Sequence, residues 1–288
     1  MYIDYLTPES VTDALQILQQ QKGKARIIAG GTDLLLDIES KKHNPEILVD
    51  ITRIPEIKGI RTEGNFLIIG AGVTHNEAAK SPLVNEKAQV LAEASRSVGS
   101  LQIRNTATVV GNVVNAQPAA DSAVALVALG ATAVIASSDS TREVPVEELY
   151  AGVGKTKVNS NNEIVTNIII PALQPGEGSA FTRLAQRKAL ALPMLNVAVV
   201  VSIAEDKFQQ ARIVMAPVGP QPVRASDSEE LLKGAAINEE TIQKAAEAAL
   251  NHANPRNSTL RGSAEYRCAT LKVLVKRALE TAVARARN

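Results

Sequence analysis

The stretch Arg26-Ile-Ile-Ala-Gly-Gly-Thr-Asp-Leu-Leu-Leu36 decides how the chain is read. A short β-branched run leads into Gly30-Gly31, turns through Thr32-Asp33 and continues as an apolar segment with Asp37 behind it. Adjacent glycines permit positive φ and keep side chains out of the way of an approaching ligand. Consecutive backbone N–H groups in such a turn form a concavity that suits a diphosphate. The same residues also satisfy a plain strand–turn–helix unit in which Thr32 or Asp33 caps the helix and no ligand is needed. The loop alone leaves both readings open.

Residues 104–130 repeat the theme: Gly111 sits among small polar residues and a helix follows. Pro118 suits the first helical turn, Asp121 a helix N-terminus and Gly130 a C-terminal stop. Asn112, Asn115 and Asp121 stand beside apolar neighbours, so each needs a partner if buried. Asp121 repels phosphate but can accept hydrogen bonds from ribose hydroxyls. One turn for a diphosphate and one for a nucleoside would make a dinucleotide site.

With both segments in view, the chain resembles the FAD-binding medium subunit of the molybdenum hydroxylases, the family of xanthine dehydrogenase and carbon monoxide dehydrogenase flavoproteins. The resemblance is carried by Ala29-Gly-Gly-Thr-Asp-Leu-Leu35, Ile103-Arg-Asn-Thr-Ala-Thr-Val-Val-Gly-Asn112 and Pro118-Ala-Ala-Asp121. It extends through Glu163-Ile-Val-Thr-Asn-Ile-Ile-Ile-Pro171, Gln186-Arg-Lys-Ala-Leu-Ala-Leu-Pro-Met-Leu-Asn-Val-Ala-Val199, Met215-Ala-Pro-Val-Gly-Pro-Gln-Pro-Val-Arg224 and Tyr266-Arg267, so nearly the whole chain is covered. Val110 departs from the family, whose second loop carries two adjacent glycines there.

The resemblance implies an α+β fold. A two-lobed FAD-binding domain of the vanillyl-alcohol-oxidase-like (PCMH) type would span 1–175, in lobes of about 1–55 and 56–175, with a smaller α+β domain over 176–288. It implies that Ile27, Ile28, Ala29, Gly30, Gly31, Thr32, Asp33 and Leu34 wrap the diphosphate. Thr108, Val109, Val110, Gly111, Asn112 and Asp121 would hold the rest of the dinucleotide, with Val165, Arg183 and Lys188 near the isoalloxazine. The implied partners are a molybdopterin-binding large subunit and a small subunit with 2Fe–2S clusters, and electrons would leave to NAD or another acceptor. No residue is assigned a catalytic role, because the chemistry would belong to the flavin. Two other readings stay open. A stand-alone FAD-dependent oxidoreductase would need acid/base groups facing the flavin, and no histidine or aromatic cluster suggests them; a flavin-free scaffold is permitted by Val110.

Composition narrows the classes. At 288 residues the chain can bury a sizeable core in two domains, and a net charge of +1 argues against nucleic acid or an acidic membrane as partner. With three Phe, four Tyr and no Trp, aromatic stacking platforms are not expected. The single Cys268 excludes a disulfide framework or a thiolate-held cluster, and His43, His75 and His252 lack metal-site spacing. His75 follows a strand end that can place it near a flavin, but it reads first as a satisfied loop histidine. No signal peptide is visible, and the apolar stretch Ala123–Ala136 is too short to span a bilayer, so a soluble, cytoplasmic protein is expected.

Along the chain, Ser10 or Thr7 caps an apolar-periodic helix that ends at Gly23, and Ala25–Ala29, Ile47–Ile51, Phe66–Gly70, Ala131–Ala136, Met194–Ile203 and Ala211–Ala216 read as strands. Helices are expected over 74–98, 239–252 and 263–286, the last with a basic face (Arg267, Lys272, Lys276, Arg277, Arg285, Arg287) that is either solvated or a docking edge. Pro171–Gly178 is the natural boundary, and a ligand is expected between the two lobes. Two motifs mislead. Gly152-Val-Gly-Lys-Thr156 lacks the first glycine of a phosphate loop, which falls on Leu149, and is read as a surface connection. Gly70-Ala-Gly-Val-Thr-His75 ends in histidine where the nicotinamide fingerprint needs Gly or Ala.

Overall fold

The structure, a computed structural model, describes residues 4–288. Met1–Ile3, the start of the segment read as lacking a signal peptide, lie outside the described residues. The first lobe alternates strand and helix: β1 (Asp4–Leu6), α1 (Val11–Gln21), β2 (Ala25–Ile28), α2 (Leu34–Glu39) and β3 (Ile47–Asp50). Ser10 caps α1 by accepting from the Asp13 amide at 3.0 Å, and the helix buries Ala14, Leu15 and Leu18 on one face. Its three strands are parallel in the order β1-β3-β2, so β2 lies at an edge and delivers Gly30-Gly31 beyond the sheet.

The second lobe begins with the hairpin of β4 (Ile60–Glu63) and β5 (Phe66–Gly70). Six helices follow: α3 (His75–Lys80), α4 (Pro82–Lys87), α5 (Gln89–Ser97), α6 (Leu101–Arg104), α7 (Val109–Val114) and α8 (Asp121–Ala128). Then come β6 (Thr132–Ala136), β7 (Thr141–Pro145), the small hairpin β8 (Tyr150–Gly152) and β9 (Lys155–Thr156), and β10 (Ile164–Pro171). β10 fills the centre of an antiparallel sheet of order β4-β5-β10-β6-β7. Every residue of α8 is buried, which is why its sequence is apolar all round rather than amphipathic. One apolar cluster runs through both lobes, from Leu15 and Val49 to Leu126 and Ile168, so they share a core.

Beyond the Pro/Gly-rich stretch lie β11 (Glu177–Leu184), β12 (Leu195–Ala204), β13 (Lys207–Ala216) and β14 (Val223–Arg224), an antiparallel sheet in chain order. Helices α9 (Ser226–Leu232), α10 (Glu239–Ala248) and α11 (Ala264–Ala286) complete this α+β unit around a second apolar cluster.

Several sequence expectations are corrected. Pro118 lies in a turn, and α8 starts only at Asp121. Gly111 sits not in a loop but in α7, whose N-cap Thr108 accepts from the Gly111 amide at 2.9 Å. The basic face of α11 is largely spent within the molecule. Arg267 is buried and donates to the carbonyls of Met194, Arg256 and Pro217, Arg285 bonds Glu93, and Lys276 bonds Glu239. β13 begins four residues earlier than Ala211, because its solvent-side polar residues hide the strand pattern.

Candidate dinucleotide-binding site

A cavity of about 870 Å³ opens between the lobes, near the upper end of the range for small-molecule sites. Its first wall is the segment from Ile27 to Leu34, at the exit of β2. Gly31 takes φ +67°, and this is the residue that needs glycine's backbone freedom. Gly30 needs glycine for another reason: a Cβ there would lie 2.2 Å from the Thr106 carbonyl oxygen and 2.8 Å from the Ala107 Cα. The missing side chain lets the first loop press onto the second rather than onto a ligand.

Among the described residues, none of the backbone N–H groups of Gly30, Gly31, Thr32 and Asp33 donates to a protein acceptor. α2 starts immediately after them, and its N-cap Asp33 makes no side-chain cap bond. Four consecutive unpaired donors at a helix entrance form an anion-binding concavity on the cavity wall. Burial pushes the Asp33 carboxyl above its ordinary range, and the nearby Asn115 amide opposes the rise.

The second wall is α7 and the start of α8. Thr108, Val110, Gly111, Asn112 and Asp121 line the cavity, whereas Val109 is packed into the core behind them. Because Gly111 is helical, Val110 also has ordinary helical backbone and fits without strain. Asp121 is nearly enclosed. One of its oxygens accepts from Asn196 Nδ2 at 2.8 Å and from Arg183 Nε at 3.2 Å, tying α8 to the C-terminal sheet. Burial raises its carboxyl, and Arg183 and Asn196 oppose the rise.

At the far end Val165 lines the cavity, but Arg183 and Lys188 do not. Arg183 stands behind the wall and donates to the Ala191 carbonyl, and Lys188 is exposed. The wall there is the loop Leu190–Pro193, pinned by the Leu190 amide to the Gly99 carbonyl at 3.0 Å. Sequence reasoning placed an Arg-rich turn in this region but could not say which of its residues turn inward.

His75 is fully buried at the start of α3, borders the cavity, and has no hydrogen-bond partner on either ring nitrogen. It is therefore neither in a loop nor satisfied. Burial, aided by Arg104, lowers its pKa to about 4, so the ring is neutral at physiological pH. The segment read as a surface connection also borders the cavity, through Ala151, Gly154, Lys155 and Thr156. Arg26 and His43 add a polar end: Arg26 donates to Ser160 Oγ at 2.6 Å and contacts His43 Nδ1 at 3.0 Å. The motifs at Gly152–Thr156 and Gly70–His75 drew attention to some of these residues, but their place on the cavity follows from segments far apart in sequence.

Among the described residues no group of His, Cys, Asp and Glu is arranged to hold a metal ion, and no helix is long and apolar enough to cross a membrane. A cavity of this volume, lined by aliphatic residues, by polar residues and by a run of unpaired amides, fits a dinucleotide such as FAD.

Comparison with known proteins agrees. The family profile described as the FAD binding domain in molybdopterin dehydrogenase matches residues 1–173, and that of the CO dehydrogenase flavoprotein C-terminal domain matches 180–282. The carbon monoxide dehydrogenase medium chain of Hydrogenophaga pseudoflava is 34% identical, over 98% of this chain and 97% of that one. A 6-hydroxypseudooxynicotine dehydrogenase complex subunit alpha from Paenarthrobacter nicotinovorans is 31% identical over 99% and 95%. The solved H. pseudoflava carbon monoxide dehydrogenase superposes with a TM-score of 0.94, covering 99% of this chain and 98% of that one at 34% identity. Quinoline 2-oxidoreductase from Pseudomonas putida 86 gives 0.91 over 100% and 99% at 29% identity.

Proposed function

The chain belongs to the family of FAD-binding subunits of molybdopterin dehydrogenases, and from that premise we propose that it relays electrons inside a multi-subunit hydroxylase. In this reading, electrons come from 2Fe–2S clusters on a small subunit, after a substrate is hydroxylated at molybdopterin on a large subunit. They leave to NAD or another acceptor. Bound FAD supplies the redox chemistry, and the chain supplies position and electrostatics.

The observation that carries the reading is the run of unpaired amides from Gly30 to Asp33 on the cavity wall, which would hold the diphosphate. From there the cavity extends between Val110, Val165 and Leu190–Pro193, an aliphatic slot suited to the isoalloxazine. Beside Val110, Val165 and Leu190–Pro193 the wall offers no proton-transfer pair for oxidising a substrate of its own, and its His43–Asp37 pair at 3.8 Å is engaged by Arg26 and Lys42. His75 is neutral with a pKa of about 4, and Asp121 is held by Arg183 and Asn196. This favours electron transfer over a stand-alone oxidase. The organic substrate would bind on another chain.

The test is purification from the native source with its partners, followed by flavin, iron and molybdenum analysis. Noncovalent FAD, released intact on denaturation, is expected, since neither glycine-bearing segment contains a histidine or cysteine. The separated chain should accept electrons from NADH or dithionite but oxidise no organic substrate. An iron-free, molybdenum-free preparation that still turned over an organic substrate would overturn the proposal.

A further inference from the structure

The charged groups on the cavity wall are unevenly matched. Of its carboxylates, Asp37 is paired with Lys42 at 2.9 Å, Asp121 with Arg183 at 3.2 Å and Glu163 with Arg142 at 3.0 Å; Asp33 has the Asn115 amide. Of its cations, Arg26 is held by the uncharged partners Ser160 and His43, and Lys155 makes no ion pair or side-chain hydrogen bond among the described residues. The wall therefore presents two positive charges without counter-charges beside four unpaired backbone donors.

The hairpin that carries Lys155 is fixed in place. The Gly154 amide donates to the Ala116 carbonyl at 3.0 Å and the Lys157 amide to the Leu149 carbonyl at 2.7 Å. Gly154 has φ +65°, and a Cβ there would stand 3.0 Å from Gln117 Nε2, so the turn sits hard against the segment that follows α7. The neighbouring Asn115 lines the same cavity as Asp33 of the first loop. Lys155 itself is exposed and stands on the wall of the same cavity as the unpaired amides.

We propose that Lys155 is a phosphate-binding residue of this cavity, closing over the diphosphate from the side opposite the Gly30–Asp33 amides, with Arg26 as the second counter-charge. The inference rests on the FAD reading above. It also gives a role to the Gly-Lys-Thr segment that resembles a phosphate loop without its spacing: the lysine meets phosphate, but from a hairpin rather than a helix entrance.

The test is titration of the full-length chain, stripped of flavin, with FAD and separately with riboflavin, which lacks the diphosphate. Lys155→Gln should weaken FAD binding about tenfold at low salt, as expected for one charge-assisted hydrogen bond. The deficit should shrink as salt approaches about 1 M, riboflavin affinity should not move, and Lys155→Arg should restore most of the FAD affinity. Lys157→Gln, an equal charge change at a lysine two residues away that does not line the cavity, should bind FAD like the wild type. Wild-type FAD affinity in Lys155→Gln, an equal loss for riboflavin, or an equal loss in Lys157→Gln would each overturn the proposal while leaving the cofactor reading intact. A wild-type chain that bound no FAD would overturn both.

Discussion

Replacing Gly30 with alanine tests whether the first loop is shaped by its ligand or by the second loop. An added Cβ would lie 2.2 Å from the Thr106 oxygen, 2.7 Å from the Thr106 carbonyl carbon and 2.8 Å from the Ala107 Cα, all backbone atoms that cannot swing aside. Ordinary carbon contacts begin near 3.5 Å, so the two loops must part by more than about 1 Å. Overpacking of this kind costs about 3 kcal/mol, which in a chain of this size lowers the melting temperature by roughly 6–12 °C. The displaced segment carries Thr108 and α7, so the second cavity wall moves with it and FAD retention should fall sharply. Gly31→Ala is the contrast. Its left-handed φ costs about 1 kcal/mol, and its Cβ meets only the side-chain tips of Ile28 at 3.0 Å and Leu35 at 3.3 Å. Thermal melts of the flavin-free variants, with flavin-to-protein ratios of the purified forms, decide the matter. A Gly30→Ala variant as stable and as flavin-loaded as Gly31→Ala would refute the reasoning.

Further outcomes follow from the same geometry. His75 binds protons less readily folded, with a pKa of about 4, than unfolded, at 6.5, so the unfolded state takes up the extra proton between those values. Its contribution is present above pH 6.5 and falls by about 3 kcal/mol as the pH drops to 4; urea midpoints should track this, and a wild-type slope in His75→Leu would contradict it. Arg183→Met leaves Asp121 buried without its cation and frees the Ala191 carbonyl, so a loss of about 3 kcal/mol is expected together with weaker flavin retention. Equilibrium unfolding unchanged from wild type would argue against that pair. Thr108→Ala removes the α7 cap and should cost about 1 kcal/mol in the same assay, with no effect if the cap is incidental.

The elements that are regular and local were legible in the sequence. Ser10 before an apolar-periodic run gave α1, the glycine turn gave the exit of β2, and apolar runs gave β5 and β12, while β10 came from the family resemblance. These follow from side-chain period, capping chemistry and glycine's dihedral freedom, all of which act within a few residues. The glycine-bearing motifs likewise pointed to a dinucleotide, because unpaired amides at a turn suit phosphate wherever the turn is found.

Tertiary structure decided the rest. Gly30 is required by Thr106 and Ala107, Lys155 reaches the cavity through a hairpin docked on Ala116, and Arg183 acts behind the wall through Asp121 and Ala191. Arg267, which looks like part of a solvated basic stripe, is buried among three carbonyls from other segments. Helical period distinguishes faces but does not say what another segment brings to them, and a contact between distant residues leaves no trace in the pattern around either one. Residue type set which chemistry each position could offer; only the meeting of the lobes and the C-terminal sheet fixed which of those groups face the cavity.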